Sequence, residues 1–288
     1  MNAREYIVAR QISWAENRGL RLIGSLGVKG RKAYTECLAD NLFEPLMPEV
    51  RNSLLAGDGN ELGADPHRPA KMQAVHSSAA IGINLFQYWQ KIDQAPVMAA
   101  ACGFCNKGNC TSERIVFEDK YPIDCSLPAA PNIDMVFHNA SSFRYQRFAV
   151  ECRFAEAYGG RQHGGLKPVY LELADLWQDI PRLKELAQAI SPDDKTFSHL
   201  HAAQLIKHIL GLKKAFGRTG FRLLYLWYDA LGKEGHDHRR EICRFAKTTI
   251  ADGIKFHALS YQDLIGKLVQ EHRSGHPVYI GYISGRYW

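Results

Sequence analysis

An aspartate stands inside an apolar run, Asn132-Ile133-Asp134-Met135-Val136-Phe137. Seventeen residues further on, a glutamate closes another, Phe148-Ala149-Val150-Glu151, with Cys152 and Arg153 next. Both runs have the aliphatic and aromatic make-up of short strands. Residues i and i+2 of a strand share a face, so Glu151 and Arg153 point one way and Cys152 the other. If the two strands pair as a hairpin, Asp134 reaches the end of the sheet that carries Glu151. Two carboxylates meeting there, with a cation alongside, would hold a divalent ion through hard oxygen ligands. The plainer reading makes both acids strand-end charges with Arg153 as their ion-pair partner. Each acid taken singly favours that reading. The two together strain it, because acids in apolar strands are costly to bury unless a metal or a partner compensates.

Other constellations are weaker. Cys102-x-x-Cys105, followed by Cys110 and Cys125, would supply four thiolates to a structural zinc. Cys125 falls in a proline-rich stretch, however, and the spacing matches no common zinc ribbon. Reduced, structurally idle thiols are the favoured reading, and zinc is not expected. His76-Ser77-Ser78 lacks the Gly-x-Ser-x-Gly elbow of a nucleophilic serine, so a helix N-cap is the local role expected. His199 and His201, like His236 and His238, are i, i+2 pairs that diverge on a helix and read as surface histidines. Trp227 and Tyr228 read as strand packing. The glycine-rich stretch 57–63 lacks the Lys-Ser/Thr of a P-loop.

The elements that must position these residues follow from the hydrophobic pattern. Asn2 followed by Glu5 predicts a capping-box helix start. Further helical patterning over 32–55 and 79–89 makes residues 1–95 an N-terminal helical region packed on a core of 96–288. In that core, strands are expected at 115–117, 133–137 and 148–154, then helices over 171–190 and 200–216. The run Phe221-Arg222-Leu223-Leu224-Tyr225-Leu226-Trp227-Tyr228 reads as a strand buried on both faces. A helix over 238–251, a strand at 254–257 and a helix over 261–271 complete an α/β fold with a mixed central sheet.

Composition narrows the class. With 46% hydrophobic and 23% charged residues in 288, wholesale disorder is excluded. Charges interrupt the first twenty-one residues and no apolar stretch approaches the ~20 that span a membrane, so a soluble, cytoplasmic protein is expected. Residues 201–288 hold 14 Lys and Arg against 7 Asp and Glu, a basic surplus that suits a polyanion or a solvated helix face.

An acid in one strand followed by Glu-x-Lys in the next is the signature of the PD-(D/E)XK nuclease superfamily. The chain resembles a family of restriction endonucleases within it. The resemblance runs through Gly57-Asp58-Gly59-Asn60-Glu61-Leu62, His76-Ser77-Ser78-Ala79-Ala80, Ile115-Val116-Phe117-Glu118 and Asn132-Ile133-Asp134. It continues with Glu151-Cys152-Arg153-Phe154-Ala155-Glu156, Gln204-Leu205-Ile206-Lys207-His208 and Leu224-Tyr225-Leu226-Trp227-Tyr228-Asp229 to the C-terminal Arg286-Tyr287. It implies a PD-(D/E)XK restriction-endonuclease-like core and a type II restriction-like endonuclease that hydrolyses DNA with Mg²⁺, or with Mn²⁺ in its place. Asp134, Glu151 and the carbonyl of Cys152 are then metal ligands, and Glu118 meets the metal through water. Gln204 and His208, four apart on one helix face, lie beside the active site. His76, Ser77, Ser78 and His208 become candidates for contact with DNA. A homodimer and a cognate methyltransferase are further partners the resemblance suggests. One residue departs from the pattern: the superfamily's lysine is Arg153, which stays protonated and cannot act as a base. The alternative is therefore a catalytically impaired, nuclease-fold protein that binds DNA.

Overall fold

The computed structural model of the protein describes residues 1–26, 29–65, 67–106, 108–127, 130–160 and 162–288. Helix α1, Ala3–Asn17, starts in the expected capping box: Asn2 Oδ1 accepts from the Glu5 N–H at 2.8 Å, and Glu5 Oε2 accepts from the Asn2 N–H at 3.1 Å. An antiparallel hairpin follows, β1 (Leu22–Leu26) with β2 (Lys29–Thr35). The region read as helical is therefore not helical throughout. Lys29, Gly30, Arg31 and Lys32 disguise β2, which lies exposed along this stretch and needs no apolar alternation there. Helices α2 (Pro48–Ala56), α3 (Ser78–Lys91) and α4 (Ala95–Ala101) come next.

Strands β3 (Ser112–Lys120), β4 (Asn132–Asn139) and β5 (Arg147–Arg153) then form an antiparallel meander. Short helices α5 (Pro168–Glu172) and α6 (Pro181–Ala189) stand where one long helix was expected, because Pro181 cannot continue a helix and restarts one at its first turn. Helix α7 (Ala202–Phe216) leads into β6 (Phe221–Trp227), which adds parallel to β5. After α8 (Gly232–Ala251), strand β7 (Phe256–Ser260) adds parallel to β6. Helices α9 (Tyr261–His272) and α10 (Pro277–Tyr287) close the described chain. The sheet order is β3-β4-β5-β6-β7, the mixed α/β sheet that the sequence implied. Among the described residues, no helix is long and apolar enough to cross a membrane.

Strand alternation sorts the core into two apolar layers. Phe148, Val150 and Cys152 of β5 join Leu224 and Leu226 of β6 against α1, α3, α4, α9 and α10. Ala149 of β5 joins Leu223, Tyr225 and Trp227 of β6 against α6, α7 and α8. Glu151 shares the face of Ala149, so the fold aims it at α7. That helix lies close to the sheet's connecting loop: a Cβ at Gly211 would meet the Tyr121 carbonyl oxygen at 2.5 Å, so only glycine fits. On the other layer, Gln11 of α1 and Arg286 of α10 exchange hydrogen bonds at 2.9 and 3.1 Å, which locks the N-terminal helix to the C-terminal one.

His238 is not at the surface, as its spacing suggested, but fully buried. Its Nε2 lies 3.0 Å from the Tyr225 hydroxyl and its Nδ1 3.1 Å from that of Tyr158. The Tyr158 hydroxyl donates to the Tyr228 carbonyl at 2.7 Å, so it accepts from His238 Nδ1–H, and Tyr225 donates to Nε2. The pocket therefore fits a neutral imidazole. Burial, reinforced by His199 and His163, pushes its pKa down to about 3. Because this lies below the unfolded value of about 6.5, the contribution is complete above pH 6.5 and is lost as pH falls toward 3. The loss between pH 7 and pH 5 is about 2 kcal/mol. Urea unfolding of His238→Gln is expected to fall less steeply over this range than that of the wild type. Equal slopes would contradict the assignment.

Candidate active site

The β4–β5 ladder ends at Met135 opposite Val150, one residue before Asp134 and Glu151 would face each other. Beyond that point the Asp134 carboxylate takes over from a backbone partner: its Oδ2 accepts from the Cys152 N–H at 2.7 Å. A strand residue turns its N–H and C=O to the same edge, and its neighbour turns them to the other. The Arg153 carbonyl accepts from Tyr228 N–H at 3.1 Å on the β6 side, so the Cys152 carbonyl faces the opening beside β4. The opening thus presents one carboxylate and one main-chain oxygen.

Glu118, near the end of β3, has a φ of 55°, a left-handed conformation that non-glycine residues rarely adopt. Here the β3–β4 register passes from Phe117 opposite Met135 to Asp119 opposite Ile133. The Glu118 carboxylate accepts from Asn132 Nδ2. Burial, and then repulsion from Asp134, push its pKa up to about 8. Asp134 is itself pushed up to about 6 by burial, with Glu156 adding repulsion and Arg153 and the Cys152 N–H opposing the rise. Glu61, from the loop after α2, is raised too, by burial first and by Asp134 and Glu156 further. Glu61, Glu118 and Asp134, from separate parts of the chain, are thus all raised, and a bound cation would relieve the repulsion among the carboxylates there.

Glu151 is 1% exposed and lies under this cluster. Its Oε1 is 2.5 Å from Arg153 Nη2 and accepts from Gln204 Nε2 at 3.0 Å. Arg153 also donates to Gln204 Oε1, so one glutamine holds the acid and the guanidinium in fixed relation. Burial works against the charge on Arg153, but Glu151, Glu156 and Asp134 outweigh it and raise its pKa. Burial drives the Glu151 pKa well above the ordinary carboxylate range, against the pull of Arg153. Its Oε2 lies 3.3 Å from His208 Nδ1, and neither atom has a hydrogen bond among the described residues. His208 bonds the Asn132 backbone, which leaves a lone pair on Nδ1 facing Oε2. One proton held between the two atoms would satisfy both.

The candidate ligands Asp134, Glu151 and Cys152 thus come together, with Glu118, Arg153 and Gln204 around them. His208 does not reach a surface where DNA could touch it: α7 packs it under Glu151, 1% exposed. Ser77 caps α3, its Oγ accepting from the Ala80 N–H at 3.2 Å, and Ser78 is the first residue of that helix. His76 packs edge-on against Tyr34, and burial, then Arg4 and Arg31, push its pKa down to about 4. The four zinc candidates do not gather: Cys102 is buried, Cys105 and Cys110 are free thiols that share a hydrogen bond, and Cys125 is exposed beside Asp124. In the sequence Glu61 and Glu156 carry only the resemblance: Glu156 arrives on the turn after β5, and Glu61 from a distant loop.

Among the described residues, no three His, Cys, Asp or Glu side chains form a ready-made metal cage. Mg²⁺ needs none, since it keeps several waters and takes one or two carboxylates. The hard oxygens at the opening, and the acids that raise one another there, fit that ion. A family model described as "Restriction Endonuclease associating with ARP" matches residues 9–288. No curated protein and no solved structure matches the chain.

Proposed function

Because the chain belongs to the family described as restriction endonuclease associating with ARP, we propose that it hydrolyses DNA phosphodiester bonds with Mg²⁺ at the end of the β4–β5 ladder. One observation carries this reading: the Asp134 carboxylate meets the Cys152 main chain where the strands part, with Glu151 and Arg153 on either side. Asp134, Glu151 and the Cys152 carbonyl would hold the ion, with Glu118 alongside. Bound there, Mg²⁺ or Mn²⁺ would lower the pKa of a water and offset charge developing on the phosphate. Arg153 donates hydrogen bonds and takes no proton, so its part is to orient the attacked phosphate and stabilise its charge. Gln204 fixes the angle between Arg153 and Glu151. A homodimer would bring two such centres to opposite strands, and a cognate methyltransferase would protect host DNA.

The Arg153 contact to Glu151 Oε1, at 2.5 Å, favours a second reading. There the arginine holds the glutamate away from a metal, and the protein binds DNA without cutting it. The test is incubation of the purified protein with plasmid and mixed-sequence linear DNA in Mg²⁺, in Mn²⁺ and in EDTA. Cleavage in either metal and none in EDTA is the expected result. Salt-sensitive binding without cleavage, with cutting that appears in Arg153→Lys, would establish the second reading instead. Cleavage that persists in EDTA would contradict both.

A further inference from the structure

Behind Arg153 lies a cavity of about 550 Å³ lined by Arg4, Arg153, Glu156, His163, His199 and His201 with Ala157 and Gly159. These groups arrive from α1, from the segments after β5 and from the entry to α7, far apart in the chain. Two are guanidinium cations and three are imidazoles. The single carboxylate, Glu156, already accepts from the Phe154 N–H at 3.1 Å and lies 3.8 Å from Arg153 Nη1. The rings of His163 and His201 stack at 4.7 Å. His163 Nε2 is buried without a hydrogen-bond partner among the described residues, and Arg4 makes no ion pair among them. His201 stands at the N-cap position of α7 and its ring bonds Gln204, the residue that holds Glu151 and Arg153.

We infer that this cavity is a second phosphate subsite, in which Arg4, His163 and His201 take the nucleic-acid backbone phosphate next to the one at the acidic centre. The inference rests on the DNA reading above and specifies how the strand lies. Arg153 belongs to the walls of both places, so a strand with one phosphate at the Asp134–Cys152 opening carries its neighbour across Arg153 into the cavity. An apolar ligand would leave the Arg4 guanidinium and the buried His163 Nε2 without partners there. A phosphate gives Arg4 an acceptor, and it gives His163 Nε2 one when that nitrogen takes up a proton, because the other ring nitrogen bonds the Ser198 backbone; charge-assisted bonds of this kind are the strong ones. His201 couples the subsite to the reaction centre through Gln204. The sugar that joins the two phosphates then passes over Arg153.

The test measures binding of a duplex of mixed sequence by fluorescence anisotropy, in Ca²⁺ and over a range of salt. Each phosphate neutralised contributes about 0.9 to the slope of log K against log[salt]. Arg4→Ala is expected to lower that slope by about 1 and the affinity by about tenfold at moderate salt. Arg4→Lys is expected to restore most of both. Arg273→Ala, an exposed arginine on the far end of α9, is expected to change neither. His163→Asn cannot take up a proton beside the phosphate and is expected to weaken binding several-fold, more at pH 6 than at pH 8. Combined with Arg4→Ala it should cost less than the sum of the two, because both residues meet one phosphate. Arg4 is exposed on α1, so its variants test the subsite even if a histidine variant unfolds. Wild type and Arg4→Ala binding alike would overturn the subsite while leaving the nuclease reading intact. A wild type that binds no DNA would overturn both.

Discussion

Arg153→Ala is expected to destabilise the fold by about 3–5 kcal/mol at pH 8, the loss that follows when one partner of a buried ion pair is removed. The reason is Glu151, which is 1% exposed and would keep only Gln204 as a hydrogen-bond partner at Oε1. The loss should shrink as pH falls, because a protonated Glu151 needs no counter-charge. Burial already raises its pKa well above the ordinary carboxylate range, and removing Arg153 removes the main opposition to that rise. Urea unfolding of wild type and variant at pH 8 and pH 6 measures this directly. Equal stability at both values would mean that the pair contributes nothing to the fold. Arg153→Lys keeps the charge but loses the second arm, Nη1, which donates to the Cys152 carbonyl at 3.4 Å and lies 3.8 Å from Glu156, and it should unfold near the wild-type midpoint. Its cleavage activity separates the two readings: retained with the wild type's if the enzyme is active, newly gained if Arg153 has silenced it.

Asp134→Asn is expected to lower the cleavage rate by at least about 10³-fold, corresponding to the several kcal/mol that a bound metal contributes to stabilising transition-state charge. DNA binding in Ca²⁺ should be largely kept, since the grip on the backbone lies with Arg4, Arg153 and the histidines. The same change should stabilise the fold. Burial pushes the Asp134 pKa up to about 6, above its unfolded value, so ionising it costs the native state more than the unfolded one. An asparagine escapes that cost and can still accept from the Cys152 N–H. The gain should be about 1–3 kcal/mol above pH 6 and should vanish below about pH 4. A variant that is both less active and less stable at pH 8 would argue that Asp134 serves the fold, not a metal.

How much of this was legible in the sequence depended on how locally each feature is encoded. The run from Phe221 declared β6 because a strand buried on both faces must be apolar nearly throughout. Asp134 and Glu151 stood out because each is an acid where the neighbouring residues demand an apolar one. The hairpin of β1 and β2 was missed since its exposed cations carry no strand pattern. Helix α10 was missed for the opposite reason: Pro277-Val278-Tyr279-Ile280 has strand-like residues, and only packing on α1 and α9 makes them helical. Spacing also misplaced the histidines. His199 and His201 were read on a helix, where i and i+2 diverge, but His201 is the N-cap and His199 lies ahead of the helix, so both turn toward one cavity. His238 lies on a helix, as expected, but on the face that α8 presents to β6. Glu61 and His163 are brought in by tertiary packing alone, and no local pattern marks them, whereas Glu156 follows Arg153 by three residues in the turn after β5.

If DNA is hydrolysed at the opening between Asp134 and Cys152, cleavage depends on both carboxylates beside it. Single-turnover cleavage of a plasmid in Mg²⁺, by the wild type and by the double variant Asp134→Ala, Glu151→Ala at DNA concentrations that saturate both, tests it most directly. Nicked and linear products are expected from the wild type and intact supercoiled DNA from the double variant. Cleavage by the double variant at the wild-type rate would contradict this and place the chemistry elsewhere in the molecule.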